Sequence, residues 1–299
     1  MHPLRLCLAV LTAITTALGA WPLGADPRGF TRHDIAYRPD GSDRQIVLYE
    51  PTTAPRALVV FLVGTKADPV NPVSLAYMTA LALRGYAVAT VEYDNAFIDR
   101  FDCDVLAGKA RRIFDRSSPQ SAINRIYARS AADPEAGLGV IGFSQGGWIG
   151  HQAGRFTEDV EVKAALLLAT GRTVRLNNAL FSIPLPCNER RHNGVARVLA
   201  INGESDPVYT YEGSRPRAVQ LREQLVAVTG VDCDGLRCLD GPGGSGWMLV
   251  RDAEVTDGVA DHEFLRVEEL DSLDPLWYLS DAPWGLEATV DWMDAAMAL

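Results

Sequence analysis

Long apolar runs, histidine, cysteine and cofactor motifs are all scarce in this 299-residue sequence, and each shortage excludes something. The run Leu6 to Leu18 (LCLAVLTAITTAL) falls short of the ~20 residues that a bilayer requires, so it is not read as a spanning helix. No Rossmann-type G-x-G-x-x-G stands between a strand and a helix, and neither a P-loop nor a metal-binding motif is present, so no cofactor and no metal is implied. Basic residues are outnumbered, 28 Lys and Arg against 38 Asp and Glu, and the net charge of −10 is spread along the chain without an acidic tail. Nucleic acid and anionic membrane surfaces are therefore poor partners. No internal repeat or low-complexity segment interrupts the chain. What remains, 47% hydrophobic and 22% charged, suits one large core.

The N-terminus has the layout of a secretory signal. The α-amino group and Arg5 supply positive charge, Leu6 to Leu18 is apolar, and Gly19-Ala20 is small, with cleavage expected near Ala17-Leu18-Gly19. Residues 1–20 are thus expected to be a signal peptide ahead of a single domain over 27–299, giving a secreted or periplasmic protein with no stable membrane insertion; a retained anchor is the competing reading. Cys7 falls inside that segment, leaving Cys103, Cys187, Cys233 and Cys238. An even count in an exported chain suggests two disulfides. Of the three connectivities, the favoured one closes the short loop Cys233–Cys238 and leaves Cys103–Cys187.

Along the chain, two short strand candidates, 34–37 and 45–49, flank the turn Pro39-Asp40-Gly41-Ser42. Continuous apolar runs at 57–63, 86–91, 138–141, 163–169, 197–202 and 247–250 have the character of strands buried on both faces. Helical stretches lie between them: one from Asn71-Pro72 to Gly85, a broken one over 104–132 interrupted at Ser117-Ser118-Pro119, and one over 217–228. A terminal helix carries Leu286, Val290, Met293 and Met297 on one stripe, and Trp277, Tyr278 and Trp284 before it are expected in the core. This alternation specifies an α/β protein with a doubly wound, mostly parallel sheet, helices on both faces, and a short insertion near 171–195. In such sheets reactive groups gather at the carboxyl ends of strands.

One such end reads Gly142-Phe143-Ser144-Gln145-Gly146-Gly147, after the strand Leu138 to Ile141 and before a helix. In a G-x-S-x-G turn between strand and helix the serine hydroxyl is thrust outward, and only glycine at the flanking positions leaves room for the two elements to approach. A serine nucleophile needs a base, and the base needs an acid. Asp206, in the tight loop Gly203-Glu204-Ser205-Asp206-Pro207, is the candidate acid, with Glu204 as its alternative. Of five histidines, His2 belongs to the signal, His33 precedes the core, His151 sits two turns beyond Ser144, and His192 lies in the insertion ahead of the acid. His262, after the last strand, is the candidate base.

The order Ser144, Asp206, His262 and the GFSQGG elbow resemble the α/β-hydrolase superfamily from about residue 45 to the C-terminus. The elbow is similar to those of secreted serine esterases and dienelactone-hydrolase-like enzymes. That resemblance implies a serine hydrolase of carboxylic esters working through an acyl-enzyme, with oxyanion donors at the Gln145 and Thr65 backbone N–H groups. Here Val63-Gly64-Thr65 departs from the HG or HGGG signature of many esterases. Trp148, Leu180, Phe181 and Ile183 either line an acyl pocket or pack the insertion onto the sheet. A peptidase or amidase with the same three residues, and a non-catalytic binding protein of this fold, are the rival readings.

Overall fold

The computed structural model describes residues 29–96, 102–175, 182–190, 194–210, 215–239, 241–267 and 272–298. The expected signal segment 1–20, Leu180, Phe181 and His192 lie outside the described residues. An antiparallel pair opens the sheet, β1 (Phe30–Tyr37) against β2 (Arg44–Pro51), across a turn in which Gly41 takes φ +85°. β1 runs four residues earlier than its apolar pattern suggests. An edge strand needs only backbone pairing on one side, so polar Thr31, Arg32 and His33 do not end it.

The apolar runs become strands β3 (Leu58–Leu62), β4 (Ala87–Val91), β5 (Leu138–Phe143) and β6 (Val162–Leu168), buried at almost every position. The insertion after β6 folds as the small hairpin β7 (Thr173–Arg175) and β8 (Ser182–Pro184). Next come β9 (Arg197–Gly203), the two-residue β10 (Arg237–Cys238) and β11 (Gly246–Val250), then the short pair β12 (Arg266–Val267) and β13 (Ser272–Leu273). Among the described residues the main sheet has nine strands in the order β1-β2-β4-β3-β5-β6-β9-β11-β10. The six from β4 to β11 are parallel, with antiparallel strands added at both ends.

Seven α-helices lie among the described residues: α1 (Pro72–Leu83), α2 (Cys103–Phe114), α3 (Ala122–Tyr127), α4 (Gln145–Gly150), α5 (Arg217–Thr229), α6 (Pro275–Leu279) and α7 (Leu286–Ala298). Local chemistry sets their ends. Asn71 caps α1 by accepting from the Val73 and Ser74 N–H groups, and Gly85 beyond its end takes φ +87°. The broken stretch divides into α2 and α3, each with its own cap, Asp102 and Ser121.

Two adjacent residues of β5 show that helices cover both faces, because neighbouring side chains on a strand point opposite ways. A Cβ on Gly139 would meet the sulfurs of Met293 and Met297 in α7 at 3.1–3.2 Å, whereas the Val140 side chain lies 2.7 Å from where a Cβ on Gly150 of α4 would stand. On the α7 side the Tyr77 hydroxyl of α1 pairs with Thr289 Oγ1 at 3.0 Å inside the core. Leu286, Val290, Met293 and Met297 are all buried, each contributing roughly 1.5–3 kcal/mol relative to exposure. Trp277 and Trp284 join them, but Tyr278 is 46% exposed. It follows Trp277 on the short helix α6, and a 100° step per residue turns it outward.

The cysteines pair as expected. Cys103 at the start of α2 bridges Cys187 with Cα atoms 5.6 Å apart, and Cys233 bridges Cys238 at 6.1 Å. Among the described residues no helix is long and apolar enough to cross a membrane.

Candidate active site

Ser144 sits between the end of β5 and the start of α4 with φ 52° and ψ −118°, in backbone territory that costs a non-glycine residue about 1–3 kcal/mol. The flanking glycines make this turn possible by their lack of side chains. A Cβ on Gly142 would stand 2.4 Å from the Gly146 carbonyl oxygen, and one on Gly146 would stand 2.2 Å from the Leu62 carbonyl oxygen on β3. Gly64, at the end of β3, lets a second loop close in from the side: its Cβ would be 3.2 Å from Ser144 Cβ.

His262 Nε2 lies 2.8 Å from Ser144 Oγ, and its Nδ1 lies 2.8 Å from Asp206 Oδ2. A carboxylate only accepts, so Nδ1–H donates to Asp206 and Nε2 is left to accept from the serine hydroxyl. Asp206 is fully buried, and its other oxygen, Oδ1, accepts from the Val208 N–H at 2.8 Å. The loops carrying acid and base are tied directly together. Gly203 closes against Ala260, where a Cβ would come within 2.1 Å of the carbonyl oxygen, and the Ser205 N–H donates to that oxygen at 2.9 Å. Glu204 turns away from the histidine and accepts from the Asp252 N–H at 2.7 Å. Of the two carboxylates considered, Asp206 is therefore the one on His262, and Glu204 fastens the next loop.

Burial opposes a charged imidazole at position 262. The facing charge and hydrogen bond of Asp206, with smaller contributions from Glu263 and Asp261, outweigh it and place the His262 pKa above the ordinary histidine value. Rings hold the imidazole on two sides, Phe143 with its centroid at 5.6 Å and Tyr209 at 5.7 Å. The other described histidines are occupied elsewhere. His151 is fully buried with Nδ1 2.8 Å from Asn188 Oδ1, and burial pushes its pKa down to about 3. His33 pairs with Arg129 on the edge strand.

Ser144 and His262 open into a cleft of about 580 Å³. Its apolar lining includes Phe61, Val73, Phe143, Trp148, Val174 and Leu265, and Lys66, Asp68, Glu263 and Arg266 add charge to it. Trp148 lines the cleft while its indole N–H donates to the Gly171 carbonyl at 2.9 Å, so it also anchors the insertion. Ile183 packs against the core and does not line the cleft; its cross-strand partner Val174 does. Among the described side chains the cleft reaches β7 and not β8, one strand spacing of about 4.8 Å away. Thr65 lines the cleft as well, and its Oγ1 accepts from the Gln145 side-chain amide at 3.0 Å.

Tyr209, Lys109 and Asn95 escape sequence reasoning. Tyr209 is buried, donates its hydroxyl to the Ala169 carbonyl at 2.7 Å, and touches Trp148 edge-on as well as the His262 ring. Its place three residues after Asp206 is the one signal that could have flagged it. Lys109 and Asn95 reach the site through long-range contacts that no spacing announces. Among the described residues, no group of three or more His, Cys, Asp and Glu side chains is placed to hold a metal ion.

No protein-family model matches the chain, and no curated protein sequence does. Solved structures do. A dienelactone hydrolase-like promiscuous phosphotriesterase, P91 from metagenomic libraries, is similar at 15% identity with a TM-score of 0.52, covering 91% of this chain and 99% of that one. Est1E from Butyrivibrio proteoclasticus is similar at 15% identity and TM-score 0.50, covering 89% and 99%. TT1662 from Thermus thermophilus is similar at 13% identity and TM-score 0.55, covering 90% and 99%. At such identities the likeness speaks to architecture, and it agrees with the strand order: the chain has the α/β-hydrolase fold.

Proposed function

We propose that the chain is an exported serine hydrolase that cleaves carboxylic esters through Ser144, His262 and Asp206. The observation that carries this reading is the unbroken line from Ser144 Oγ through His262 to Asp206, with both contacts at 2.8 Å, at the mouth of a mainly apolar cleft. In this scheme Ser144 attacks the acyl carbonyl while His262 Nε2 takes its proton. Asp206 holds the tautomer and stabilises the imidazolium; His262 then protonates the leaving alcohol, and water releases the acyl group by the same steps in reverse. The Gln145 N–H, at the start of α4, and the Thr65 N–H would receive the oxyanion.

An ester is favoured over a peptide because the described walls around Ser144 are mostly apolar and side-chain lined, which suits a small acyl group. Export rests on the signal-like layout of residues 1–20 and is supported by the two disulfides, which persist in oxidising compartments. The domain would then be residues 27–299.

Labelling the purified protein with a fluorophosphonate probe tests the central claim. Wild type is expected to label and Ser144→Ala not to; an unlabelled wild type, or equal labelling of both, would remove the catalytic reading. Turnover of p-nitrophenyl esters against aminoacyl anilides tests the ester assignment, and turnover of the anilides alone would overturn it.

A further inference from the structure

Lys109 is a buried cation with no part in the scheme above. It lies on α2, is 5% exposed, and donates its ammonium to the Asp94 carbonyl and, at 2.9 Å, to the Gln145 side-chain oxygen Oε1. Burying a charge costs several kcal/mol, even when relieved, and burial pulls this pKa below the ordinary lysine value. A methionine would fill the same space without that cost.

What the charge does is fix a direction. An ammonium has donors and no acceptor, so the Gln145 amide must turn its oxygen to Lys109 and its NH2 to the other side. On that side the NH2 meets Thr65 Oγ1 at 3.0 Å. The Thr65 oxygen is thereby committed as an acceptor, and its own hydrogen is left to donate elsewhere. Thr65 faces the cleft, and its neighbour Gly64 packs against Ser144. Each bond in such a chain polarises the next, so a proton offered at the end of Lys109, Gln145 and Thr65 is a stronger donor than an isolated hydroxyl.

We propose that the Thr65 side-chain hydroxyl is a further oxyanion donor, aimed by the Gln145 side chain and Lys109. This rests on the serine-hydrolase reading. Thr65 is then a catalytic residue twice over, through its N–H and its O–H, whereas Lys109 and the Gln145 amide are positioning residues. The arrangement suits a substrate whose carbonyl oxygen develops a full negative charge during attack, as in acyl transfer.

Steady-state kinetics on p-nitrophenyl butyrate with Thr65→Val, Thr65→Ser and Lys109→Met decide the matter. Thr65→Val keeps the shape and the backbone N–H but loses the hydroxyl, and kcat is expected to fall about a hundredfold with KM within twofold. Thr65→Ser should recover most of that loss, which a purely steric role for threonine would not allow. Lys109→Met should lower kcat about tenfold in the wild type and by less than twofold in the Thr65→Val background, since the two act on one proton. A Thr65→Val enzyme with kcat within threefold of wild type would overturn the proposal, and so would Thr65→Ser no better than Thr65→Val, or equal effects of Lys109→Met in both backgrounds. If wild type itself neither labels with the fluorophosphonate nor turns over the ester, the serine-hydrolase reading fails first and takes this inference with it.

Discussion

Two turns meet at the mouth of the cleft, the elbow at the end of β5 and the loop at the end of β3, and they are built on opposite principles. The elbow is held by what is missing. Gly142 and Gly146 press backbone against backbone so closely that any side chain would collide within 2.2–2.4 Å. The β3 loop is held by what reaches it from elsewhere. The Asn95 side chain donates to the Gly64 and Ala67 carbonyls at 3.0 and 2.8 Å, the Lys66 N–H donates to the Asn95 carbonyl at 2.9 Å, Tyr93 donates to the Val63 carbonyl, and Gln145 holds Thr65. A turn made of absences is written locally in the sequence; a turn made of distant donors is not.

The largest expected effect lies behind the elbow, where a single pair of hydrogen bonds links acid, base and serine. In Asp206→Asn the amide cannot both accept from Nδ1–H and carry charge, so kcat should drop on the order of 10⁴-fold. The pH profile should move too. In wild type, kcat/KM should rise as His262 loses its proton, with a midpoint above the ordinary histidine value because Asp206 outweighs burial. In the variant burial stands largely unopposed, so the residual activity should show its acidic limb at lower pH. A limb that stays put would mean another group is titrating. Stability runs the other way: the contribution of protonated His262 is fully present below its unfolded pKa and is lost as pH rises through the raised folded one. Denaturant midpoints of wild type and His262→Gln across that window measure it.

The second effect separates the two turns directly. Gly146→Ala forces a Cβ into the Leu62 and Val63 carbonyl oxygens at 2.2 and 2.5 Å, the first at the end of β3 and the second held by the Tyr93 hydroxyl. The expected cost exceeds about 4 kcal/mol, and with it the melting temperature should fall by roughly 8 °C or more. Gly64→Ala in the loop meets only side-chain atoms, Phe143 Cδ1 at 3.1 Å and Ser144 Cβ at 3.2 Å, and should cost about 1–2 kcal/mol. Equal losses in the two variants would erase the distinction between backbone and side-chain closure.

That distinction also explains which parts of the site the sequence discloses. The buried parallel strands, the short Cys233–Cys238 loop and the elbow are legible because each depends on local pattern: apolar runs, two nearby cysteines, paired glycines. Cys103–Cys187, 84 residues apart, follows only as the remaining pair, and Asp206 and His262 follow from elimination and from the order that the family resemblance implies. Asp206 is the sequence's candidate acid with Glu204 as its alternative, and what distinguishes the two is a long-range contact, the neighbour that each carboxylate meets, His262 or Asp252. Lys109 and Asn95 are invisible for the same reason. Lys109 is 36 residues from Gln145, and Asn95 is 31 from Gly64, so only the closed fold brings them together. The two-residue strand β10 and the pair β12–β13 are too short to leave a periodic signal.

A third effect measures how much the loop owes to its distant donors. Asn95→Ala removes both side-chain bonds to the loop carbonyls and leaves the backbone pairing of Asn95 with Lys66 in place. Two unmet acceptors near the surface should cost about 1–3 kcal/mol of stability. With the Thr65 N–H less well aimed, kcat should fall about tenfold, since misplacement of one donor forfeits part of its contribution. A full melting-temperature loss with no change in kcat would show that the loop position does not govern catalysis.

The smallest effect concerns strain. Ser144 and Lys66 both sit at positive φ, 52° and 59°, one in each turn. At Ser144 the conformation cannot be relieved without removing the proposed nucleophile, so on that reading its cost is tied to function. At Lys66 the backbone is held by hydrogen bonds of its own N–H and of its neighbours, none of which needs the lysine side chain. Glycine adopts this region freely, so Lys66→Gly should stabilise the fold by up to about 1 kcal/mol, after the added freedom of the unfolded chain is set against it. For a chain of this size that is a rise of roughly 2–4 °C in melting temperature, readable by differential scanning calorimetry. A fall instead would mean that the lysine side chain itself holds the loop, and the contrast between a turn written in glycines and a turn pinned from outside would have to be redrawn around Lys66.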